Sequence, residues 1–80
     1  MKDVPEIYVD WNDDFGKGHI GLTCSKEDIE RQGLILHEGL EVSLYGDELE
    51  ARAVITRLPD YGIWVAQIIE GTLHSINPDE

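Results

Sequence analysis

One short stretch, WNDDFGKGH at residues 11–19, combines carboxylates with a Gly-Lys-Gly run. The oxygens of Asn12, Asp13 and Asp14 are of the kind that Ca²⁺ prefers as ligands in proteins. The backbone N–H groups of residues 16–18 could instead hold a phosphate. The stretch therefore offers a cation site, an anion site, or only a turn between two strands.

The spacing in this stretch disfavours both kinds of site. A nucleotide-binding loop needs a serine or threonine after Gly-Lys, and Lys17 is followed by glycine. Three acids lie just upstream, at Asp10, Asp13 and Asp14, and would repel a phosphate. The acids also lack the alternating spacing and the closing glutamate of an EF-hand loop. We therefore expect no metal and no cofactor, and keep a small-ligand or metal-binding domain using residues 12–19 as an alternative.

Cys24 and the three histidines are the remaining residues that could bind zinc or act in catalysis. They show neither the C-x₂-C nor the H-x₃₋₅-H spacing of zinc sites. Alternation along residues 20–24 predicts that the Cys24 side chain points inward, away from a substrate. The many carboxylates fall in predicted turns, without an apolar pocket around them. We expect a protein that is not an enzyme.

The chain is strongly acidic. Seventeen Asp and Glu residues against six Lys and Arg residues give a formal net charge of −11 at pH 7. Binding to nucleic acids and to anionic membranes depends on Lys and Arg, so direct binding to either is disfavoured. A protein partner with a basic surface is favoured, and mimicry of nucleic-acid charge is one version of that role. The charge would also help to keep a small domain in solution.

The length of 80 residues predicts a single domain over 1–80, with flexible tails at 1–4 and 77–80. The one cysteine excludes an internal disulfide. The first residues do not have the pattern of a signal or transit peptide, and no apolar run approaches the length of a membrane span. We therefore expect a cytoplasmic protein.

Alternation of apolar and polar residues predicts a series of short strands. The first two should form a β-hairpin around the loop between them. Turns are expected near Gly46 and at residues 59–62, and a bend or bulge near Ala66. The predicted strands are residues 6–11, 19–24, 40–45, 48–58, 63–69 and 71–76.

One short helix is predicted at about residues 26–32. Ser25 can cap its start, and Asp28 stands at the third helical position, as in a variant of the capping box. Gly33 can adopt the left-handed conformation that ends a helix, which would bring Ile29 and Leu34 into contact. A helix this short is not stable alone, so we expect Ile29 to dock on the sheet.

These elements predict a mainly β domain, a small antiparallel SH3-like partly open barrel of five or six strands with one helix. Parallel strands need long crossovers, and the chain has few spare residues for them. An OB-like barrel or a two-layer sandwich is the alternative. Residues 39–68 resemble small bacterial barrel domains in a general way, which implies a fold and no function.

Aromatic residues at predicted turns point to recognition of another protein. Tyr and Trp supply rigid contact area at protein interfaces, and here they stand beside acids. We expect a non-enzymatic domain that binds a partner as adaptor or inhibitor, with no direct nucleic-acid or membrane binding. The candidate binding residues are Asp13, Asp14, Phe15, Lys17, Tyr45, Asp47, Glu48, Asp60, Tyr61 and Trp64.

Two further predictions follow from the acids and from the strands. The nucleic-acid mimic would place seven carboxylates on one continuous surface: Asp10, Asp13, Asp14, Glu41, Asp47, Glu48 and Glu50. The alternative without a ligand is a subunit that dimerises through an exposed edge strand, so the chain would be a monomer or a weak homodimer.

Overall fold

Six strands form one mixed sheet in the computed structural model, which describes residues 4–76. In chain order they are β1 (Glu6–Tyr8), β2 (His19–Gly21), β3 (Glu41–Gly46), β4 (Leu49–Leu58), β5 (Ile63–Ile68) and β6 (His74–Ser75). They lie side by side as β1-β3-β4-β5-β2, and β6 pairs with β4. The mainly β class is confirmed. Except for the half-buried Val4, the predicted flexible tails lie outside the described residues.

The predicted all-antiparallel arrangement is wrong for one strand pair. β1 runs parallel to β3, with Glu6 opposite Ser43 and Tyr8 opposite Tyr45. The crossover between them is residues 9–40, which already include β2 and the helix, so it needs no additional chain. Strands β1 and β2 end the strand order and are not paired with each other within residues 4–76, so the sheet does not close into a barrel.

The predicted N-terminal hairpin is also wrong in its partners, because β2 pairs with β5 rather than with β1. A smaller hairpin forms inside the loop, where Asp14 and Ile20 make an isolated antiparallel bridge. The backbone N–H of Phe15 donates to the carbonyl of His19 at 2.8 Å. Alternation therefore identified both strands correctly, but β1 pairs with β3 and β2 pairs with β5, and the two do not pair with each other.

The predicted helix is confirmed as α1 (Lys26–Gln32), preceded by a 3₁₀ turn at Thr23–Ser25. It ends as predicted, since Gly33 has φ 64° and the backbone N–H of Leu34 donates to the carbonyl of Ile29 at 3.0 Å. The Ser25 side chain makes no capping hydrogen bond, unlike the prediction. The described part of the chain contains no helix long and apolar enough to cross a membrane.

The hydrophobic core lies on one side of the sheet. Ile7 is paired with Leu44 and Ile55 with Ala66, and all four side chains are fully buried. Residues paired across strands point to the same side, so these pairs define the core side. Partly buried apolar residues from α1 and from the segment before β3 pack against them: Ile29, Leu34, Leu36 and Leu40. The docking of Ile29 is thus confirmed.

Of the bend or bulge predicted near Ala66, the bulge is wrong, because β5 pairs one-to-one with β4 along its whole length. The chain leaves the sheet after β5 instead, and returns as β6. At this gap the Thr72 hydroxyl accepts a hydrogen bond from the backbone N–H of Arg52 at 3.0 Å and donates to the carbonyl of Ile69 at 2.6 Å. The Thr72 side chain therefore bonds a backbone group of β4 that has no strand partner at this point.

Candidate functional site

Nine of the ten candidate binding residues fall into two groups at opposite ends of β4, and the tenth, Trp64, lies in β5. One group is the loop at 13–17 with Asp60 and Tyr61, and the other is Tyr45 with the turn at 47–48. The ten residues of β4 extend over about 30 Å, at roughly 3.3 Å per residue. The candidates therefore form two separated groups rather than one cluster.

Phe15 and Tyr61 form a pair at the surface, which we call the aromatic pair. Their ring centroids are 5.2 Å apart with the planes at 64°, an edge-to-face contact. Phe15 is 37% exposed and Tyr61 is 64% exposed. The two residues come from loops that are far apart in the sequence. The fold therefore builds a partly exposed aromatic surface that neither loop makes alone.

Each ring of the aromatic pair is held by a tight turn. On one side the backbone N–H groups of Tyr61 and Gly62 both donate to the carbonyl of Leu58, at 3.1 and 2.8 Å. On the other side, Asp14 Oδ1 accepts the backbone N–H of Gly16 at 2.6 Å. Hydrogen bonds within each turn therefore hold the backbone that carries the two rings.

The Gly-Lys-Gly run serves as a turn. Residues 16–18 have φ of 91°, 57° and 76°, so three successive residues are left-handed, and glycine adopts that conformation without steric cost. The carbonyl of Gly16 accepts the backbone N–H of His19 at 3.1 Å, and the carbonyl of Gly18 accepts that of Ile68 at 2.9 Å. The glycines are thus explained by the backbone path, with Lys17 exposed at its tip.

Asp13 is half-buried rather than fully exposed. Its Oδ2 is buried and has no hydrogen-bond partner within residues 4–76. The carboxylate lies against Gly21, where a Cβ atom would overlap it. An open depression of about 290 Å³ adjoins this point, lined by Asp10, Asn12, Asp13, Thr23 and Cys24. In the described residues no three His, Cys, Asp or Glu side chains are grouped as a metal ion requires.

Trp64 faces the other side of the sheet from its neighbour Ile63, because side chains alternate along β5. It lies opposite Arg57, and the guanidinium carbon of that residue is 5.3 Å from the centre of the indole ring. Trp64 is half-buried and packs against the hydrophobic core. Trp64 therefore lies at the edge of the hydrophobic core, and its indole ring is in a cation–π contact with Arg57.

Tyr45 is occupied within the protein. Its hydroxyl donates to Asp28 Oδ2 at 2.9 Å, and its ring meets that of Tyr8 edge-to-face. The same Asp28 carboxylate accepts the backbone N–H of Tyr8 at 2.9 Å and pairs with Arg31. Sequence reasoning missed this cluster because it assigned Asp28 to the helix start, and no local spacing links it to residues 17 and 20 positions away.

The cluster has opposite effects on two pKa values. Burial of Asp28 works to raise the pKa of its carboxyl, but the hydrogen bonds from Tyr8, Tyr45 and Arg31 and the charge of Arg31 outweigh it, leaving the pKa lowered. The hydrogen bond to Asp28 raises the pKa of Tyr45, and burial adds to that effect. Asp28 is therefore ionised at neutral pH and Tyr45 is protonated.

Side chains of α1 and its preceding turn close the outer edge of β1. The Ser25 hydroxyl donates to the carbonyl of Tyr8 at 2.5 Å, and the Gln32 amide donates to the carbonyl of Glu6 at 2.8 Å. Together with Asp28 they satisfy backbone groups that an added strand would otherwise use. Dimerisation through an exposed edge strand stays a prediction. At the β1 edge, α1 and its preceding turn occupy backbone groups that a second copy would need.

Cys24 is exposed, which corrects the prediction that it points inward. The reason is that β2 ends at Gly21 and the chain turns into the 3₁₀ segment, so the strand alternation stops before Cys24. The ring nitrogens of the three histidines lie within hydrogen-bonding distance of backbone carbonyls of Gly16, Glu38 and Thr72.

The positive charges of the described residues are largely used within the protein. Arg31 pairs with Asp28, Arg52 Nη2 lies 2.6 Å from Glu41 Oε2, and Arg57 lies over an indole ring. The acids, in contrast, are mostly at the surface. Exposed carboxylates in residues 4–76 are Glu6, Asp14, Glu27, Glu30, Glu38, Glu41, Asp47, Glu48, Asp60 and Glu70.

The fold and this surface define a small acidic β-sheet domain that presents an aromatic pair on two ordered loops. Comparison of the chain with known protein families, curated proteins and solved structures gives no match.

Proposed function

We propose that the chain is a non-enzymatic domain that binds another protein, as adaptor or inhibitor, and that the partner has a basic surface. The observation that carries the proposal is the aromatic pair, in which Tyr61 is 64% exposed although it is locked in a turn. A large aromatic side chain at such a place adds nothing to the core. Its placement is explained by contact with another molecule.

The aromatic pair has the properties of an interface anchor. Aromatic side chains bury much area while few rotatable bonds are fixed, and residues of this kind dominate the binding energy of interfaces. Ile63, 37% exposed, begins β5 just after the turn that holds Tyr61, and it extends the apolar area at this end of the sheet. We call Phe15, Tyr61 and Ile63 with the adjoining Asp14 and Asp60 the aromatic end.

The charge of the chain sets the kind of partner. A net charge of −11 raises the local concentration of basic molecules and speeds their association, and it repels nucleic acids and anionic membranes. Such attraction weakens as salt screens it. The version in which the domain mimics nucleic acid belongs to this proposal. Four of its seven carboxylates have partners within the protein. Asp10 and Asp14 accept backbone N–H groups, Glu41 pairs with Arg52, and Glu50 accepts the Ser43 hydroxyl.

The small-ligand alternative at residues 12–19 has less support. Polar groups of this loop are bonded within it, as Asp10 Oδ1 accepts the backbone N–H of Asn12 and Asp14 Oδ1 that of Gly16. The SH3-like type of the fold, the bacterial origin and the cytoplasmic location remain our predictions from the sequence.

The proposal is tested by affinity capture with matched variants. The chain is immobilised and exposed to a lysate of the cells that produce it, as wild type, as Phe15→Ala/Tyr61→Ala, and as Ile35→Ala. Ile35 is 81% exposed and lies between α1 and β3, so its truncation removes exposed apolar surface that is not part of the aromatic end.

We expect a partner that the wild type and Ile35→Ala retain and that Phe15→Ala/Tyr61→Ala loses. Retention should also fall steeply as the salt concentration rises. Equal retention by all three proteins would show that the aromatic end is not the contact surface. Circular dichroism of each variant shows that the fold is unchanged, as expected for side chains on loops.

A further inference from the structure

We infer that the aromatic end receives an arginine side chain of the partner, with the guanidinium over the Tyr61 ring and its N–H groups directed to Asp14 and Asp60. This inference rests on the proposed function and adds the chemistry of the residue that is recognised.

The first argument is the geometry of the rings. In an edge-to-face pair one ring presents its edge to the face of the other, so the contact with Phe15 leaves ring surface of Tyr61 free, and 64% of the residue is exposed. The face of an aromatic ring is electron-rich and attracts cations. An exposed tyrosine face is therefore a receptor for a positively charged group.

The second argument is the placement of charge. Asp14 and Asp60 directly precede Phe15 and Tyr61 in the sequence, and both are exposed. Within residues 4–76 neither carboxylate forms an ion pair, and Asp14 uses one oxygen to accept the backbone N–H of Gly16. A cation over the ring would thus have carboxylates near it that no arginine or lysine of the described chain neutralises.

The third argument is that the β4–β5 hairpin, whose turn carries Tyr61, already contains one contact between an arginine and an aromatic ring. Arg57 of β4 lies with its guanidinium carbon 5.3 Å from the centre of the Trp64 ring in β5. This pair is next along the ladder to Leu58 and Ile63, which border the turn containing Tyr61. The protein supplies both partners at that place, whereas within residues 4–76 no arginine or lysine lies over the Tyr61 ring, although the exposed Lys17 belongs to the same loop as Phe15.

Arginine fits these features better than lysine. Its planar guanidinium can stack on a ring while its N–H groups, which lie in a plane, bond carboxylates beside the ring. The lysine ammonium is more strongly hydrated and gains less from an aromatic face. Discrimination between the two cations therefore distinguishes stacking from simple attraction of charge.

The test uses homopeptides of arginine, lysine and uncharged citrulline, of equal length, titrated into ¹⁵N-labelled protein. Four variants accompany the wild type. Tyr61→Phe keeps the ring and Tyr61→Leu removes it, while Asp14→Asn/Asp60→Asn and Asp47→Asn/Glu48→Gln each remove two charges, at opposite ends of β4.

We expect amide shifts at residues 14–16 and 60–63, tighter binding of the arginine peptide than of the lysine peptide, and no binding of citrulline. Tyr61→Leu should weaken arginine binding about two- to fivefold and Tyr61→Phe should not, as an exposed cation–π contact of about 0.5–1 kcal/mol implies. Asp14→Asn/Asp60→Asn should weaken it more than Asp47→Asn/Glu48→Gln.

Equal affinity for arginine and lysine, or shifts spread over all acidic residues, would overturn the inference and show attraction by net charge alone. The proposed function fails separately. If the captured partner depends on Phe15 and Tyr61 while the peptides do not discriminate, the aromatic end binds protein and the arginine assignment is wrong.

Discussion

The carboxylate of Asp28 in α1 accepts the backbone N–H of Tyr8 in β1 at 2.9 Å, although the two residues are 20 positions apart. The same carboxylate accepts the hydroxyl of Tyr45 in β3 and pairs with Arg31 in its own helix. One buried acid therefore joins the helix, the edge strand and the next strand. A helix of seven residues gains its stability from such tertiary contacts.

Replacement of Asp28 by asparagine should lower the free energy of unfolding by about 1–3 kcal/mol. The amide keeps the size of the side chain but loses the charge, and its NH₂ group is directed at groups that are themselves donors. Urea unfolding followed by circular dichroism measures the loss. Glu30→Gln is the matched control, because Glu30 is an exposed acid of the same helix, and its change should stay within about 0.5 kcal/mol. Equal effects of the two changes would contradict the assigned role of Asp28.

The stability that Asp28 supplies should disappear in acid. Its pKa in the folded state is lower than the ordinary value of 3.8, so the unfolded state takes up the proton first as the pH falls. The contribution is complete above the unfolded pKa and is lost as the pH falls through the folded pKa. Unfolding free energies of the wild type and Asp28→Asn should therefore converge below pH 3.8. A difference that is unchanged by acid would show that the charge is not its source.

The Tyr45 hydroxyl should titrate above its ordinary value of 10.0, because its proton is held by Asp28. Folding stability from this bond is present below the unfolded pKa and lost as the pH rises through the folded one. The Tyr8→Phe/Tyr61→Phe variant leaves Tyr45 as the only tyrosine of three, so the absorbance of tyrosinate reports it alone. Adding Asp28→Asn should bring the midpoint down toward 10.0. An unchanged midpoint would mean that the hydrogen bond does not form in solution.

The helix could be predicted from the sequence because its signals are local. A left-handed glycine at position 33 and a periodic segment before it are sufficient to fix the end, and the structure shows the expected hydrogen bonds there. The strand segments were likewise visible as alternation. Their partners were not, since alternation states which side of a strand is buried and says nothing of which strand lies beside it.

The residues of the candidate site could be chosen from the sequence by type and position, but their arrangement could not be predicted. Phe15 and Tyr61 were both selected for their types and turn positions, but their contact depends on the fold, which brings two loops distant in the sequence together. Tyr45 was selected for the same reasons, yet its hydroxyl is bound to Asp28. Only the tertiary fold distinguishes an exposed aromatic side chain such as Tyr61 from one that is bonded within the protein such as Tyr45.

The turn between β3 and β4 should be stabilised by a glycine. Asp47 and Glu48 have φ of 50° and 63°, a left-handed conformation that costs non-glycine residues free energy. The glycine beside them, Gly46, is needed where it stands, since a Cβ there would lie 2.5 Å from the carbonyl oxygen of Val9. Glu48→Gly should raise the free energy of unfolding by roughly 0.5–1 kcal/mol after the entropy cost of glycine is deducted. Glu48→Ala, which keeps the strain, serves as the control, and equal stability of the two variants would show that the turn is not strained.

Asp13 and Gly21 should be coupled energetically. A Cβ atom at position 21 would overlap the Asp13 carboxylate, so Gly21→Ala alone should cost about 1–3 kcal/mol through displacement of that side chain. Asp13→Ala alone should be neutral or stabilising, because Asp13 Oδ2 is buried without a partner in the described residues. The double variant should be more stable than the sum of the single effects predicts, by about 0.5–3 kcal/mol in urea unfolding.

Asp14→Ala provides the matched control for this coupling. Asp14 is the next residue and is exposed, and its carboxylate binds the backbone of Gly16 rather than approaching position 21. Its effect should add to that of Gly21→Ala within about 0.5 kcal/mol. If both aspartate variants add equally, then backbone and not the Asp13 carboxylate limits the space at Gly21. Coupling to Asp13 alone would show that this glycine is required because an acid with an unsatisfied oxygen packs against it.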